Sequence, residues 1–375
     1  MRILIIAGEA SGDAHGSGVV RELQKQNPAI EIYGIGGDAM EKEGMKLLHH
    51  VKELSVMGFV EVVKHIPDIR RIEKNLLFTL QKKKTDAVLL IDYPGFNLRF
   101  AKKAKELGLK VFYYISPQIW AWKRGRLKTM KHFIDKMFVV FSFEKKIYEQ
   151  ATIPVSFVGH PLLEEINEQP TKAEFITNNS LSINKKIVGI FPGSRKQEIQ
   201  KIFPTLVETG LMLQKINNVQ CIVGVAPTLQ SSYLKKIDSR SSEFIFVENQ
   251  SHALMKHSDV AMVTSGTATL ETAIFQTPMM IVYKTSPITY AIGKRLVNIT
   301  HIGLVNIVAG EEVVKEFVQH KATAENLYNE AVELLQNEEK RITMKRALAT
   351  VKNKLGEKGA AKHVAEEILK QLVLQ

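Results

Sequence analysis

The chain has 375 residues, 45% of them hydrophobic and 24% charged, a balance ordinary for a globular enzyme with material for two domains of roughly 150 residues each. Its single cysteine, Cys221, lies in an apolar run and excludes an internal disulfide, which favours a reducing compartment. The formal charge of +12 asks for an anionic partner, and nucleic acid, anionic lipid and nucleotide-sugar all qualify.

Arg2 to Ala7 reads as a first buried strand. Its apolar run is too short for a signal peptide, and no stretch of the chain approaches the roughly 18 apolar residues needed to span a bilayer. A cytoplasmic protein, or one peripheral to the cytoplasmic face of a membrane, is expected. The loop that follows, Gly8-Glu9-Ala10-Ser11-Gly12-Asp13, is not a G-x-G-x-x-G fingerprint, and no G-x-x-x-x-G-K-[ST] loop occurs, which weighs against a dehydrogenase and an ATPase. Glu9 and Asp13 suit either orientation of a sugar hydroxyl or capping of the next helix, with capping the better reading for Asp13.

Ile30 to Ile35 is a second strand. Leu54 to Val63, LSVMGFVEVV, is apolar apart from Ser55, Gly58 and Glu61, and Pro67 to Leu80 mixes Arg70, Arg71 and Lys74 with apolar residues. A buried helix accounts for this segment; so does an acyl-chain groove or bilayer-facing patch carrying Met57, Phe59 and Val60. Asp86 to Ile91 is a strand that delivers Asp92 to a Pro-Gly turn. Such an acid can act as a general base or as a turn initiator bonded to its own backbone.

A helical pattern from Phe100 to Leu107 leads to strands at Lys110 to Ile115, Lys136 to Phe141 and Pro154 to Val158. Between the first two of these, Trp120, Trp122 and Arg124 sit among further bases. Aromatic residues beside cations suit a phosphate on an amphiphile, a membrane interface or nucleic-acid stacking; a helix with one apolar and one solvated face fits too.

The polar stretch Asn167 to Lys186 reads as a linker or helix–loop crossing. The strand pattern then restarts at Ile187 to Phe191, Val219 to Val225, Glu243 to Val247, Val260 to Val263 and Met279 to Tyr283, and terminal helices begin near Thr323. Alternating strands and helices in both halves predict two doubly wound α/β domains, with ligands in a cleft at the carboxyl ends of the sheets. Two loops fit phosphate. One is Pro192-Gly193-Ser194-Arg195; the other is Ser265-Gly266-Thr267, which opens a helix carrying Glu271 within reach of ribose hydroxyls. Together they predict a nucleoside diphosphate in the C-terminal half. No Cys, His or carboxylate cluster has metal-ligand spacing, so neither metal nor cofactor is expected.

Eight motifs in order, GEASGD (8–13), LSVMGFVEV (54–62), IDYPGFN (91–97), SPQIWAW (116–122), FVGHP (157–161), PGSR (192–195), SGTATLE (265–271) and VNIVAG (305–310), resemble those of the lipid-A-disaccharide synthases. These are inverting glycosyltransferases of the GT-B architecture, and the resemblance covers nearly the whole chain. Gly95 stands where that family commonly has an acid, and Val305 where it commonly has proline. The first departure leaves Asp92 as the candidate carboxylate.

The resemblance implies a Rossmann-like acceptor and acyl-binding domain over 1–163, a UDP-sugar domain over 164–345, and a segment 346–375 that returns to the first domain or is swapped with a partner in a homodimer. It also implies transfer of 2,3-diacylglucosamine from UDP to 2,3-diacylglucosamine 1-phosphate, without metal and with inversion, giving a β-1,6 disaccharide at the cytoplasmic surface of the inner membrane. In that reading Asp92 takes the acceptor proton, Glu9 and Asn306 help hold the sugars, and Arg195, Ser194, Gly193, Ser265, Gly266, Thr267 and Glu271 bind UDP. Nucleic acid is then no partner. The competing expectations are another UDP-sugar enzyme, such as a peptidoglycan glycosyltransferase or a sugar 2-epimerase, and a basic nucleic-acid-binding protein.

Overall fold

The computed structural model describes residues 1–54, 66–120, 125–286, 290 and 300–373. These form two parallel sheets. The first contains β1 (Arg2–Ala7), β2 (Glu31–Gly36), β3 (Lys46–His50), β4 (Ala87–Ile91), β5 (Lys110–Tyr114), β6 (Lys136–Val139) and β7 (Val155–Phe157), in the order β3-β2-β1-β4-β5-β6-β7. The second contains β8 (Lys186–Phe191), β9 (Val219–Val225), β10 (Ile245–Glu248), β11 (Val260–Thr264), β12 (Met279–Tyr283) and β13 (Glu316–Val318), in the order β10-β9-β8-β11-β12-β13.

Central strands such as β4, AVLLI, and β11, VAMVT, are buried along their whole length. That is the signature of a parallel strand covered by helices on both faces. In each sheet the strand order reverses direction once, between β1 and β4 and between β8 and β11. Adjacent loops leave the carboxyl ends of those strands for opposite faces, so a crevice for ligand opens there.

The chain divides into two compact units, Met1–Glu164 with Leu355–Gln375, and Glu165–Lys354. The expected boundary at 345 falls inside the continuous helix Glu338–Lys354, which packs on the helices Thr267–Ile274 and Leu304–Ala309. The return to the first unit therefore starts at Leu355, whose carbonyl accepts the His160 amide at 2.8 Å. The last helix, Ala360–Val373, lies against the helix Ala10–Gln26 of the same chain. The polar linker holds a helix, Lys172–Asn178, started by reciprocal bonds between Thr171 and Glu174.

Asp13 does cap a helix, but a distant one. It sits inside the helix Ala10–Gln26 and is 7% exposed. Its carboxylate accepts the amides of Gly37 (2.6 Å), Ala39 (3.1 Å) and Met40 (3.1 Å), the start of the helix Asp38–Lys42. This ties the turn after β2 to the helix after β1 and leaves no free oxygen for a sugar. Orphaning buried amides costs about 1–3 kcal/mol each. Asp13→Ala should therefore lower unfolding stability by about 3 kcal/mol or more, read as the urea midpoint; an unchanged midpoint would show that the clamp is dispensable.

Candidate functional site

At the reversal point of the first sheet, the loops after β1 and β4 supply Glu9 and Asp92. The chain leaves β4 through two successive left-handed residues, Asp92 (φ 44°) and Tyr93 (φ 46°), before the helix Pro94–Glu106 begins. Such conformations cost on the order of 1–3 kcal/mol each and persist only when the surroundings impose them. Here they do. The Asp92 amide donates to the Tyr114 carbonyl (3.0 Å). The Asp92 carbonyl accepts from Tyr113 Oη (2.5 Å) and Asn97 Nδ2 (2.7 Å), and the same Asn97 nitrogen holds the Ile91 carbonyl. Tyr93 Oη donates to the Leu54 carbonyl at 3.1 Å. Its ring lies so close to Gly8 that a Cβ there would stand 2.2 Å away, which is why the first loop opens on glycine.

The bend aims a partly buried carboxylate out of the strand end. Burial pushes the Asp92 carboxyl up to about 6, the negative charge of Glu9 adds to the rise, and the Tyr93 amide and His15 oppose it. The same burial and the same Glu9 charge raise the neighbouring Tyr93 phenol. Glu9 itself is exposed, at the N-terminal boundary of its helix. The carboxylate thus bonds the Tyr93 amide, as a turn-forming acid does, while burial makes its charge costly.

At the reversal point of the second sheet, the loops after β8 and β11 carry Gly193 and Gly266. Both are left-handed or beyond (φ 91° and 151°), and nothing stands within 4 Å of where a Cβ on Gly266 would lie. Each loop opens a helix, Lys196–Gln214 and Thr267–Ile274, whose N-terminal amides and dipole favour an anion. Ser194, Gly266 and Thr267 are exposed. Ser265 is held from below, its Oγ donating to the Ile302 carbonyl at 2.9 Å. Arg195 is 80% exposed and, among the described residues, pairs with Glu198, three residues on, at 3.1 Å. A surface pair of this kind is weak and exchanges readily for a phosphate. Glu271 lies in the second turn of its helix, 3.5 Å from His252 Nε2.

Asn306 departs from its expected role. It is fully buried in the helix Leu304–Ala309. Its Nδ2 donates to the Val314 carbonyl and Glu316 Oε1, and its Oδ1 accepts the Val313 and Val314 amides. With both ends of the amide committed, Asn306 organises the turn into β13 and has no group left for a sugar. Trp120 is half-buried, its indole N–H bonded to the buried Glu144 at 3.2 Å, so it is anchored inward. Met57, Phe59, Val60, Trp122 and Arg124 lie outside the described residues. Among the described residues no three His, Cys, Asp or Glu side chains converge as metal ligands.

Sequence reasoning missed Tyr113, Asn97, His252 and Glu144. Tyr113 looks like one more apolar strand residue, and His252 meets Glu271 from the separate helix Ser251–His257. Only Glu144 left a trace, as an acid in the first turn of a helix.

Residues 3–371 match the family model described as lipid-A-disaccharide synthetase. A lipid-A-disaccharide synthase from Trichlorobacter lovleyi is 41% identical over 370 residues, covering 98% of this chain and 97% of that protein. One from Coxiella burnetii is 38% identical over 367 residues, covering 98% and 97%. In structure the chain is similar to the UDP-GlcNAc 2-epimerase from Neisseria meningitidis bound to UDP-GlcNAc (TM-score 0.65, 17% identity, 99% and 100% covered). It is also similar to the glycotransferase of kitacinnamycin (TM-score 0.66, 12% identity, 99% and 98% covered). At such identities these two establish the α/β two-domain fold alone.

A carboxyl whose folded pKa is raised from 3.8 to about 6 stabilises the fold only while protonated; that contribution is lost as pH rises through 6. At pH 8 the charged Asp92 is therefore a burden, worth at most about 3 kcal/mol for a shift of about two units. Asp92→Asn keeps the bend's bonding shape without the charge, so its melting temperature at pH 8 should exceed the wild type's, with the gap closing by pH 4. An equal or lower melting temperature at pH 8 would rule out the desolvated carboxylate.

Proposed function

The chain belongs to the lipid-A-disaccharide synthetase family, and from that premise we propose how its two units divide the reaction. It is a glycosyltransferase of lipid A biosynthesis, acting on a UDP-sugar and a lipid acceptor. The second unit binds UDP-2,3-diacylglucosamine. Its diphosphate lies over the Gly193 and Gly266 loops, with Arg195, Ser194 and Thr267 as donors and Ser265 holding the second loop in place, and Glu271 accepts the ribose hydroxyls. The exposed glycine loop, the two helix N-termini and the weakly paired arginine support this. So does the similar epimerase, which is bound to UDP-GlcNAc.

The first unit takes 2,3-diacylglucosamine 1-phosphate. Asp92 removes the proton of its 6-hydroxyl, and that oxygen bonds to the donor's anomeric carbon from the face opposite UDP. The bond from that carbon to the diphosphate breaks, and UDP leaves with the electron pair, giving the β-1,6 disaccharide with inversion. Charge growing on UDP is met by fixed amides, helix N-termini and Arg195, without a metal. The observation that carries this reading is a carboxyl lifted to about 6 at the sheet's reversal point. Such a base is mostly ionised at neutral pH yet still basic enough to take a proton. Glu9 raises that basicity and helps hold the acceptor sugar.

Among the described residues no helix is long and apolar enough to cross a membrane. Peripheral attachment to the cytoplasmic face of the inner membrane, through the 54–63 segment, and assembly as a homodimer complete the proposal. The acyl chains of both substrates and the exposed Arg70, Arg71 and Lys74 support the first.

Asp92→Asn and Glu271→Ala should fail in opposite ways. The first should lose roughly 10²–10⁴-fold in kcat with UDP affinity intact. The second should weaken UDP by about ten- to a hundredfold, as expected for a charged hydrogen bond of about 1.5–3 kcal/mol. EDTA should leave wild-type turnover unchanged. Retained activity in Asp92→Asn, or unchanged calorimetric UDP affinity in folded Glu271→Ala, would contradict the respective assignment.

A further inference from the structure

Glu144 has no part in the chemistry above, yet it is 1% exposed at the start of the helix Ser142–Gln150. A carboxyl is buried at a cost unless its oxygens are bonded. Here both are. Oε1 accepts from Ser116 Oγ (2.7 Å) and Trp120 Nε1 (3.2 Å), and Oε2 accepts from the Phe141 amide (3.3 Å). Burial lifts the group to about 7, and the Ser116, Phe141, Trp120 and Val140 bonds pull it back. Among the described residues Tyr148 faces both Ser116 and Glu144, and His160 packs on the Phe141 ring at 5.1 Å.

Ser116 and Trp120 bracket the segment that leaves β5, the strand beside β4 and Asp92. Inside that segment the backbone bond from Ile119 to Pro117 is the local tie (2.6 Å). The Trp120 ring is braced edge-on by Phe143 (5.6 Å), which stacks on Phe141 (5.5 Å). Glu144 thus fastens both ends of a loop at the carboxyl edge of the sheet. Beyond Trp120 the sequence runs into Lys123, Arg124 and Arg126, cations suited to a phosphate-bearing acceptor.

We propose that Glu144 is a positioning residue that fixes the Ser116–Trp120 segment in the shape that receives the lipid acceptor's phosphorylated sugar. This rests on the assignment of the acceptor to the first unit. The full-length protein tests it through three variants, with the Michaelis constants of donor and acceptor measured separately and tryptophan emission recorded. Glu144→Ala should raise the acceptor KM about tenfold, the equivalent of one lost hydrogen bond of about 1.4 kcal/mol. The donor KM should stay within about twofold, and the emission should shift to the red as the indole N–H loses its partner.

Glu144→Gln keeps an acceptor oxygen for Ser116 and Trp120, loses only the 3.3 Å bond from the Phe141 amide, and should recover most of both readouts. Trp120→Phe keeps an aromatic ring beside Phe143, loses the N–H along with the second ring, and should raise the acceptor KM in the same direction. An unchanged acceptor KM in folded Glu144→Ala, or a glutamine variant as impaired as alanine, overturns the proposal. If the alanine variant fails to fold, a wild-type acceptor KM in Trp120→Phe overturns it instead. A rise confined to the donor KM would overturn the acceptor assignment as well. Asp92→Asn retaining turnover would remove the base while leaving these readouts untouched.

Discussion

The left-handed pair Asp92–Tyr93 is the constraint on which the chemistry proposed for the first unit depends. In a strand successive side chains stand on opposite faces of the sheet, and an ordinary turn after it would let the next side chain swing into water. Two consecutive positive φ values force the helix Pro94–Glu106 to start at once. They also hold the Asp92 carboxyl against the sheet, where burial and Glu9 raise it to about 6. The strain is offset by bonds from two elements, from Tyr113 and Tyr114 of β5 and from Asn97 of the following helix. The raised carboxyl and the backbone bend are in this sense one interaction.

The second unit suits the diphosphate proposed for it by the opposite route. Its reversal point carries no buried carboxylate at the strand end; it offers glycine, exposed amides and a loosely paired arginine. A diphosphate is already charged and needs fixed positive ends, while a hydroxyl needs a base whose own charge has been made costly. The same strand order supports both because the sheet fixes only where the loops emerge, and the loop residues decide what emerges.

The doubly wound architecture was legible because buried strands such as AVLLI and VAMVT announce themselves as short apolar runs bounded by Gly, Asp or Pro. The edge strands β3 and β13 were not, since KLLHH and the three-residue EFV are partly exposed and carry polar residues. In the site, Asp92, Gly193, Arg195 and Gly266 could be placed from sequence because turn chemistry is local. Asn306 was misread for a complementary reason: a motif marks a position without telling whether its amide faces a ligand or the turn into β13. Asp13 and Glu144 show the same limit, each bonding partners 24 to 28 residues away.

The pH dependence of kcat/KM tests most directly whether the bend makes Asp92 a base. That quantity reports the free enzyme's essential groups. Wild-type kcat/KM should fall on the acid side with a midpoint near 6. In Glu9→Gln, with the like charge gone, the midpoint should move to lower pH. An acid limb near 4 in the wild type, or a midpoint that stays put in Glu9→Gln, would contradict the account.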